Sequence, residues 1–483
     1  MNYSVIKRMI GWLLLFEAIF FLVPVLTALW YWETKELWAF LISMAICLAL
    51  GGICLIGKPK TMEMFAKEGL VIVALSWIVL SLFGALPFYI SGAIPSYVDA
   101  LFETVSGFTT TGSSIMPTGE SVEALPRCIL MWRSFTHWVG GMGVLVFIMA
   151  FLPLSGGRNM HMMKVESPGP TVGKLVPKVR TTAKILYTIY FGLTVIQFVL
   201  LLCGGMSIFD SLNTAFATAG TGGFAIKADG FAGYSSYLQI VVAVFMLIFS
   251  INFNSYYFLL KRKWKEILTA EVKVFLIIVG VAVTAITLNV YFTDTLTNFW
   301  EAWKHSLFSV ATVISTTGFA TEDFNLWPSL SKTILVILMF VGACAGSTGG
   351  GMKVSRFIIL GKNSANEMRK TLHPKQVKRL TIDGRVVEHE VVQSVYSYLV
   401  AYIFLFVASL LVISLEGESL VTTFTSVAAT INNIGPGLDA VGPMGTFAHF
   451  SWWSKLVFIF DMLAGRLEIF PMLLLFAPTT WRK

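Results

Sequence analysis

The chain has 483 residues, of which 56% are hydrophobic and only 13% are charged, and its formal net charge is +8. Soluble globular proteins carry about 25% charged residues, so this composition excludes an ordinary soluble domain and indicates a polytopic membrane protein. A positive charge can indicate nucleic-acid binding, but in a membrane protein it is typical of cytoplasmic loops. We therefore expect no nucleic-acid partner.

Apolar segments long enough to cross a bilayer core, which takes about 20 helical residues, recur along the whole chain. The first follows Lys7 and Arg8 and is too long for a signal peptide, so we expect it to remain as a helix. The predicted spans are 9–31, 38–57, 68–90, 132–154, 184–204, 236–259, 273–292, 332–360, 393–414 and 453–478. The sequence predicts an all-α polytopic membrane protein.

Basic residues concentrate in alternate loops between these spans, most densely at 158–180, 261–265 and 356–385. By the positive-inside rule, these loops and both chain ends are cytoplasmic. The loops on the opposite side are rich in Asp and Glu. We expect them to raise the local concentration of cations, although ordinary solvated loops would have the same composition.

A short segment of small, hydroxyl-bearing or amide-bearing residues that ends in glycine occurs four times, roughly every 100 residues, and such a repeat is the first feature to explain. Its members are Thr110, Thr111 and Gly112; Gly220, Thr221, Gly222 and Gly223; Ser315, Thr316, Thr317 and Gly318; and Asn432, Asn433, Ile434 and Gly435. Each segment lies between two predicted spans and follows a short helical stretch. The predicted stretches are 99–109, 210–218, 302–315 and 420–431.

A helix too short to cross, followed by extended backbone, is tolerated at membrane depth only where protein or a water-filled cavity surrounds it. Four such segments around one axis would form a ring of backbone carbonyls, which is the device that replaces the hydration shell of K⁺. For a single segment, a helix-ending glycine is the simpler explanation, but four copies at matched positions favour a selectivity filter. The second segment can be aligned on Gly222 or Gly223, and the sequence leaves both open.

The predicted span 332–360 contains a glycine-rich run that a regular helix would hold poorly, since each Gly costs up to about 1 kcal/mol relative to Ala. We expect a broken helix whose loop crosses the pore, with close helix packing through small residues as the alternative. Arg466 lies in the middle of the last span and should face the protein interior or a pore. If the broken stretch crosses the pore, its backbone carbonyls and hydroxyls are natural partners for the Arg466 guanidinium. We therefore predict a gate of Arg466, Gly346, Ser347, Thr348, Gly349, Gly350 and Gly351. A structural partner in Asp461 or Glu468 is the alternative for Arg466.

Four further motifs carry a resemblance to a known family: WVGGMG at 138–143, GSTGGG at 346–351, NNIGPG at 432–437 and GRLE at 465–468. With the glycine segments, they make the chain similar, nearly end to end, to TrkH/TrkG-type membrane subunits of the Trk/Ktr/HKT superfamily of K⁺ transporters. The resemblance implies four helix–pore loop–helix repeats around one pore plus two extra N-terminal helices. The implied boundaries are 1–67 for the extra helices and 68–157, 158–265, 266–391 and 392–483 for the repeats.

The resemblance also implies a function and partners. We expect K⁺ uptake across the plasma (inner) membrane, with K⁺ or Rb⁺ in the filter, no cofactor in this chain, a homodimer, and a cytoplasmic TrkA-type ring of nucleotide-binding regulatory subunits. The basic segments 158–180 and 362–385 would meet that ring or anionic lipid. The four segments differ from one another and from the TVGYG signature of K⁺ channels, so discrimination between K⁺ and Na⁺ is left open.

Two other classes of function compete with a K⁺ channel or transporter. A membrane-embedded enzyme is disfavoured, because the sequence shows no Ser/His/Asp, HExxH or paired intramembrane Asp set. It also lacks a glycine-rich nucleotide-binding motif, so any effect of a nucleotide would come through a partner. We therefore predict that the chain is not an enzyme. A proton- or sodium-coupled K⁺ symporter is the alternative, for which Asp461 and Glu468 are the candidate intramembrane carboxylates.

Overall fold

The computed structural model describes residues 1–57, 66–116, 122–143, 179–374 and 379–481. The helices in these ranges are α1 (Tyr3–Phe20), α2 (Leu22–Tyr31), α3 (Thr34–Leu55), α4 (Ala66–Gly84), α5 (Leu86–Ser91), α6 (Tyr97–Phe108), α7 (Arg127–Gly141), α8 (Val179–Cys203), α9 (Ile208–Gly220), α10 (Ser236–Phe249), α11 (Phe253–Leu260), α12 (Trp264–Ile267), α13 (Ala270–Phe292), α14 (Phe299–Ile314), α15 (Ser329–Val341), α16 (Val354–Leu372), α17 (His389–Ile413), α18 (Leu420–Ile431), α19 (Trp452–Arg466), α20 (Phe470–Phe476) and α21 (Pro478–Trp481). Short 3₁₀ turns lie at Phe324–Leu326, Ser414–Glu416 and Asp439–Val441. Strands β1 (Thr381–Ile382) and β2 (Arg385–Val386) form one antiparallel hairpin, with Thr381 opposite Val386.

Six helical segments of the described chain are long and apolar enough to cross a membrane. They are Tyr3–Tyr31, Thr34–Leu55, Lys67–Ser91, Thr181–Cys203, Ala270–Phe292 and His389–Glu416. The pair α10 and α11 would add a seventh, but the two helices meet at 93° across a short break. The predicted all-α membrane fold is confirmed.

The remaining predicted spans differ from continuous helices, and all of them follow a glycine segment. The second of them breaks between α10 and α11, the third between α15 and α16, and the fourth between α19 and α20. The fourth break occurs where Glu468 and Ile469 both take left-handed φ values of 57° and 67°. For the first, α7 ends at Gly141, and residues 144–178 lie outside the described part of the chain. The sequence predicted a break only at the glycine-rich run, because the other two breaks lack a comparable concentration of glycine.

The short helices α6, α9, α14 and α18 occupy the predicted pore-helix positions and are called the pore helices here. The helix after each glycine segment packs against the next pore helix: α7 on α9, α10 on α14, α15 on α18, and α19 on α6. The last contact joins the C-terminal part of the chain to its first pore helix. We call each pore helix, with its glycine segment and the helices on either side, a unit, and number the units one to four in chain order. These contacts show that the four units close a circle.

Side-chain caps set the start of each pore helix. Ser96, Ser207, Asn298 and Ser419 each accept a hydrogen bond from a backbone N–H two or three residues on. Such caps satisfy one of the otherwise unpaired donors at a helix N-terminus. The first three pore helices therefore begin two or three residues earlier than the apolar pattern predicts, and α18 has the predicted bounds.

The additional N-terminal helices pack on the first unit of the circle. Helix α1 contacts α3 and α4, and α2 contacts α7. Aromatic rings fill this interface, where the Phe21 and Trp132 ring centroids are 4.8 Å apart and the Trp132 indole donates to the carbonyl of Gly84 at 3.0 Å. Both aromatic side chains are fully buried, so α1–α3 form part of the protein core around the first pore helix.

Candidate functional site

The four glycine segments share one backbone conformation. Each pore helix leads into a residue with a left-handed φ of 55–57° and, two positions later, a glycine with a φ of 76–101°. These pairs are Thr110 and Gly112, Thr221 and Gly223, Thr316 and Gly318, and Asn433 and Gly435. The conformation decides the alignment that the sequence left open, since Gly223, and not Gly222, is equivalent to Gly112.

Each of these glycines lies against a backbone carbonyl of the next segment. The contacts join Gly112 to Gly222, Gly223 to Thr317, Gly318 to Ile434 and Gly435 to Thr111. A Cβ atom on Gly435 would stand 2.8 Å from the carbonyl oxygen of Thr111, and one on Gly318 would stand 2.5 Å from that of Ile434. The four segments therefore form a closed ring, called the glycine ring here, that has no room for side chains at these positions.

The ring is tied to the ends of the pore helices. The residue before each ring glycine donates its N–H to a pore-helix carbonyl at 2.8–2.9 Å. The four bonds run from Thr111 to Ser106, Gly222 to Ala217, Thr317 to Thr312 and Ile434 to Ala429. A helix C-terminus carries partial negative charge, so four helix ends of the same polarity converge on the ring.

The side chains behind the ring differ between segments. The hydroxyls of Ser315 and Thr317 are 2.6 Å apart, and Thr109 and Thr111 form the same kind of pair at 2.8 Å. The fourth segment has Asn432 and Ile434 at the equivalent positions and forms no hydroxyl pair. Instead, Asn433 Nδ2 donates to Thr111 Oγ1 at 2.9 Å. The backbone is thus four-fold while the supporting hydrogen bonds are not.

The second segment is supported by His137, which the sequence did not single out. Its Nδ1 lies 2.7 Å from the carbonyl of Gly107, and its Nε2 accepts from the N–H of Phe224 at 3.3 Å. A Cβ atom on Gly222 would collide with the imidazole ring. Gly222 is therefore glycine because it faces His137, whereas Gly223 belongs to the ring. Sequence could not have found this contact, since His137 lies in no metal-ligand or catalytic spacing.

A cavity of about 140 Å³ opens on one side of the ring and is called the vestibule here. All four ring glycines line it, together with Arg133 and Lys227. Arg133 forms a buried ion pair with Glu103 at 2.8 Å. None of the described lining residues is acidic, and the predicted acidic residue at position 120 lies outside the described part of the chain.

The glycine-rich run forms a loop, residues 342–353, on the other side of the ring. Its residues touch the positions that precede the ring glycines, whereas the vestibule is lined by the ring glycines and positions that follow them. Gly350 donates its N–H to Thr316 Oγ1 at 2.6 Å, and Gly351 donates to the carbonyl of Asn432 at 3.0 Å. Thr348 Oγ1 donates to the carbonyl of Phe249 at 3.1 Å. This glycine loop therefore contacts units two, three and four directly beneath the ring.

Arg466 joins the glycine loop to the first unit. Its guanidinium donates to the carbonyl of Thr348 at 2.8 Å and to those of Gly140 and Gly141 at 2.6 Å each. The side chain is 9% exposed. A planar guanidinium with several fixed donors suits three convergent carbonyls. Arg466 of the fourth unit and the glycine loop of the third unit therefore form one layer beneath the glycine ring.

Comparison with known proteins agrees with this architecture. A family model described as "TrkH: Cation transport protein" matches residues 36–483. The chain belongs to the TrkH family. The Trk system potassium uptake protein TrkH of Escherichia coli K12 is 34% identical, with 100% of both chains covered, and TrkG of the same organism is 32% identical, with 99% of this chain and 98% of TrkG covered. The crystal structure of the potassium transporter TrkH from Vibrio parahaemolyticus matches with a TM-score of 0.88 at 32% identity over 100% of both chains.

Membership in the TrkH family confirms the resemblance seen in the sequence. It also identifies the chain as a multi-pass membrane transporter rather than an enzyme. Within this TrkH-family fold, the structure brings together the predicted ring and gate residues, and it adds supports that sequence reasoning missed. One is His137, and another is Tyr402, whose hydroxyl donates to Asn432 Oδ1 at 3.1 Å.

Proposed function

We propose that the chain mediates potassium uptake through a single central pore and that the glycine ring is its selectivity filter. The observation that carries the proposal is the closed ring, in which four backbone carbonyls lie against four left-handed glycines. Rings of carbonyls can replace the hydration shell of K⁺. The names of the relatives, Trk system potassium uptake proteins, support the same ion.

The ring would bind K⁺ or Rb⁺ without a cofactor in this chain. Its selectivity would come from backbone geometry that all four segments share. The hydrogen bonds behind the segments are unequal, with hydroxyl pairs in the first and third and His137 and Asn433 in the second and fourth. We expect this inequality to weaken discrimination against Na⁺ relative to a filter of four identical segments.

We further propose that Arg466 and the glycine loop close the pathway below the filter. The loop spans the units beneath the ring, and the guanidinium holds it to the first unit. A fixed positive charge at this place would also repel cations. Both effects oppose conduction, so opening requires the loop to move away from Arg466.

The proposed assembly is a homodimer in the plasma membrane, with both chain ends cytoplasmic and a TrkA-type nucleotide-binding ring on the cytoplasmic side. Support comes from the family and from the basic end of α16, where Arg369 and Lys370 lie in the last turn. Most of the other basic segment, 158–178, lies outside the described residues. Lysines at this membrane face would also attract anionic lipid.

A coupled K⁺ symporter remains the second candidate because of Asp461. Its carboxyl is fully buried in α19 and accepts one hydrogen bond, from Ser409 at 2.7 Å. Intramembrane carboxylates often take part in proton relays. If coupling operates, Asp461→Asn should abolish a dependence of K⁺ uptake on the proton gradient, whereas a channel would show no such dependence in the wild type.

The decisive experiment measures ⁸⁶Rb⁺ flux, with and without competing Na⁺, into vesicles that contain Gly318→Ser. This glycine has a φ of 94° and faces the carbonyl of Ile434, so serine should fold but lower the preference for K⁺ over Na⁺. Gly280→Ala is the control, since Gly280 lies in α13 with open space at its Cβ position. A wild-type flux ratio in Gly318→Ser would show that this segment is not part of the filter.

A further inference from the structure

A second cavity, of about 560 Å³, lies between α15 and the pore helix α18. Its lining includes Asn325, Lys332, Val336, Ile337, Val421 and Asp439. The lining changes from polar to apolar along α15, over the roughly 7.5 Å that separate Lys332 from Ile337 in a helix. Ile337 and Val421 are both exposed at the open side. This groove has the amphipathic profile of a lipid-binding site.

The polar end of the groove is a fixed set of groups rather than loose side chains. Lys332 Nζ donates to the carbonyl of Asn325 at 3.1 Å, and the Asn325 amide oxygen accepts from the N–H of Asp439 at 2.8 Å. The Asp439 carboxylate accepts from the hydroxyls of Ser419 and Thr422. These hydroxyls hold the pKa of Asp439 below its usual range, so the carboxylate is ionised at neutral pH.

We propose that this groove binds one phospholipid with a zwitterionic, ammonium-bearing headgroup. The phosphate would contact Lys332, the ammonium would contact Asp439, and an acyl chain would lie along Val336 and Ile337. The choice of headgroup follows from charge, because the rim offers one cation and one anion. An anionic lipid without an ammonium would also be attracted to Lys332, but the Asp439 carboxylate would repel its negative charge.

The position of the groove connects it to the glycine ring. Leu438 and Asp439 lie three and four residues after Gly435 of the fourth segment, and the N–H of Leu438 donates to Thr425 Oγ1 on α18 at 2.9 Å. Asn325 belongs to the third unit and Asp439 to the fourth, so the rim bridges two units. A bound lipid would brace this bridge. An effect of the lipid on ion selectivity rests on the proposed function, whereas lipid binding itself does not.

Native mass spectrometry of protein extracted from vesicles of phosphatidylethanolamine and phosphatidylglycerol tests the binding. Ile337→Trp should fill the groove and remove one retained phosphatidylethanolamine. Leu330→Trp is the matched control, because Leu330 is on the same helix at 55% exposure against 57% for Ile337 and does not line the groove. Lys332→Ala should lower retention of phosphatidylethanolamine about tenfold through loss of the charge-assisted contact.

Two outcomes would overturn the proposal. Equal phosphatidylethanolamine retention by the two tryptophan variants would show that no lipid occupies the groove. Loss of dimer in Ile337→Trp alone, with no change in retained lipid, would show that a second copy of the chain covers it. Because retained lipid is measured without any ion flux, neither result bears on the proposed transport function, which the flux experiment tests separately.

Discussion

The glycine ring and the layer beneath it are built on opposite principles. In the ring, every unit supplies an equivalent residue in an equivalent backbone conformation, from Gly112 to Gly435. Beneath it, the third unit supplies the glycine loop and the fourth supplies Arg466. Under the proposed function, ion recognition would depend on what all four units share, while closure of the pathway would depend on features that only the third and fourth units supply.

The largest effect is expected in the ring, where substitution meets both strain and collision. Gly223→Ala places a Cβ against the carbonyl of Thr317 and forces a left-handed conformation, which costs about 1–2 kcal/mol for an L-residue. We expect the Rb⁺ over Na⁺ flux ratio to fall about tenfold, since 1.4 kcal/mol corresponds to that factor. Flux from vesicles measures it, with Gly280→Ala as the control. An unchanged Rb⁺ over Na⁺ flux ratio would contradict the proposal that the four units contribute equivalently to the filter.

The next effect is expected at Arg466, in the opposite direction. Arg466→Ala removes three hydrogen bonds to carbonyls and the positive charge, so Rb⁺ flux should rise several-fold with little change in ion preference. Arg466→Lys should have an intermediate flux, because a single ammonium cannot reproduce the planar set of donors. Shortening the loop by removing part of 346–351 should also raise flux. Unchanged or lower flux from folded variants would favour a purely structural Arg466.

A smaller effect should separate two threonines at equivalent backbone positions. Thr316 Oγ1 accepts the N–H of Gly350 from the glycine loop, whereas Thr110 Oγ1 has no hydrogen-bond partner among the described residues. Loss of one hydrogen bond costs about 1 kcal/mol, so Thr316→Val should raise basal flux about fivefold. Thr110→Val should leave it unchanged. Equal basal flux in the two variants would show that the hydrogen bond between Thr316 and the glycine loop does not help to keep the pathway closed.

The smallest effect is expected at Tyr402, which supports the fourth segment from outside. Tyr402→Phe removes the hydrogen bond to Asn432 Oδ1, and Asn432 also holds Gly351 through its carbonyl. We expect about a twofold change in the Rb⁺ over Na⁺ ratio, at the low end for a neutral hydrogen bond. Tyr396→Phe on the same helix is the control, since that hydroxyl pairs with Asn363 in an exposed position. Similar ratios in both variants would show that Tyr402 does not tune the filter.

Sequence alone predicted the fold class and the family, because apolar length and repeated motifs are local properties of the chain. It also predicted the break near Gly342, since a run of glycines weakens a helix wherever it occurs. It did not predict the breaks at 250–252 and 467–469, where tertiary contacts override an apolar pattern. The roles of the predicted filter and gate residues stay predictions until flux is measured.

Only the tertiary structure decided how the segments meet. Sequence left Gly222 and Gly223 equivalent, and the distinction arises because His137, more than eighty positions away, occupies the space beside Gly222. Sequence grouped Arg466 with Thr348, 118 positions away, but not with the carbonyls of Gly140 and Gly141 in the first unit. Composition, periodicity and motifs describe neighbours along the chain, whereas ring closure and the layer beneath it depend on which carbonyls the folded units place side by side.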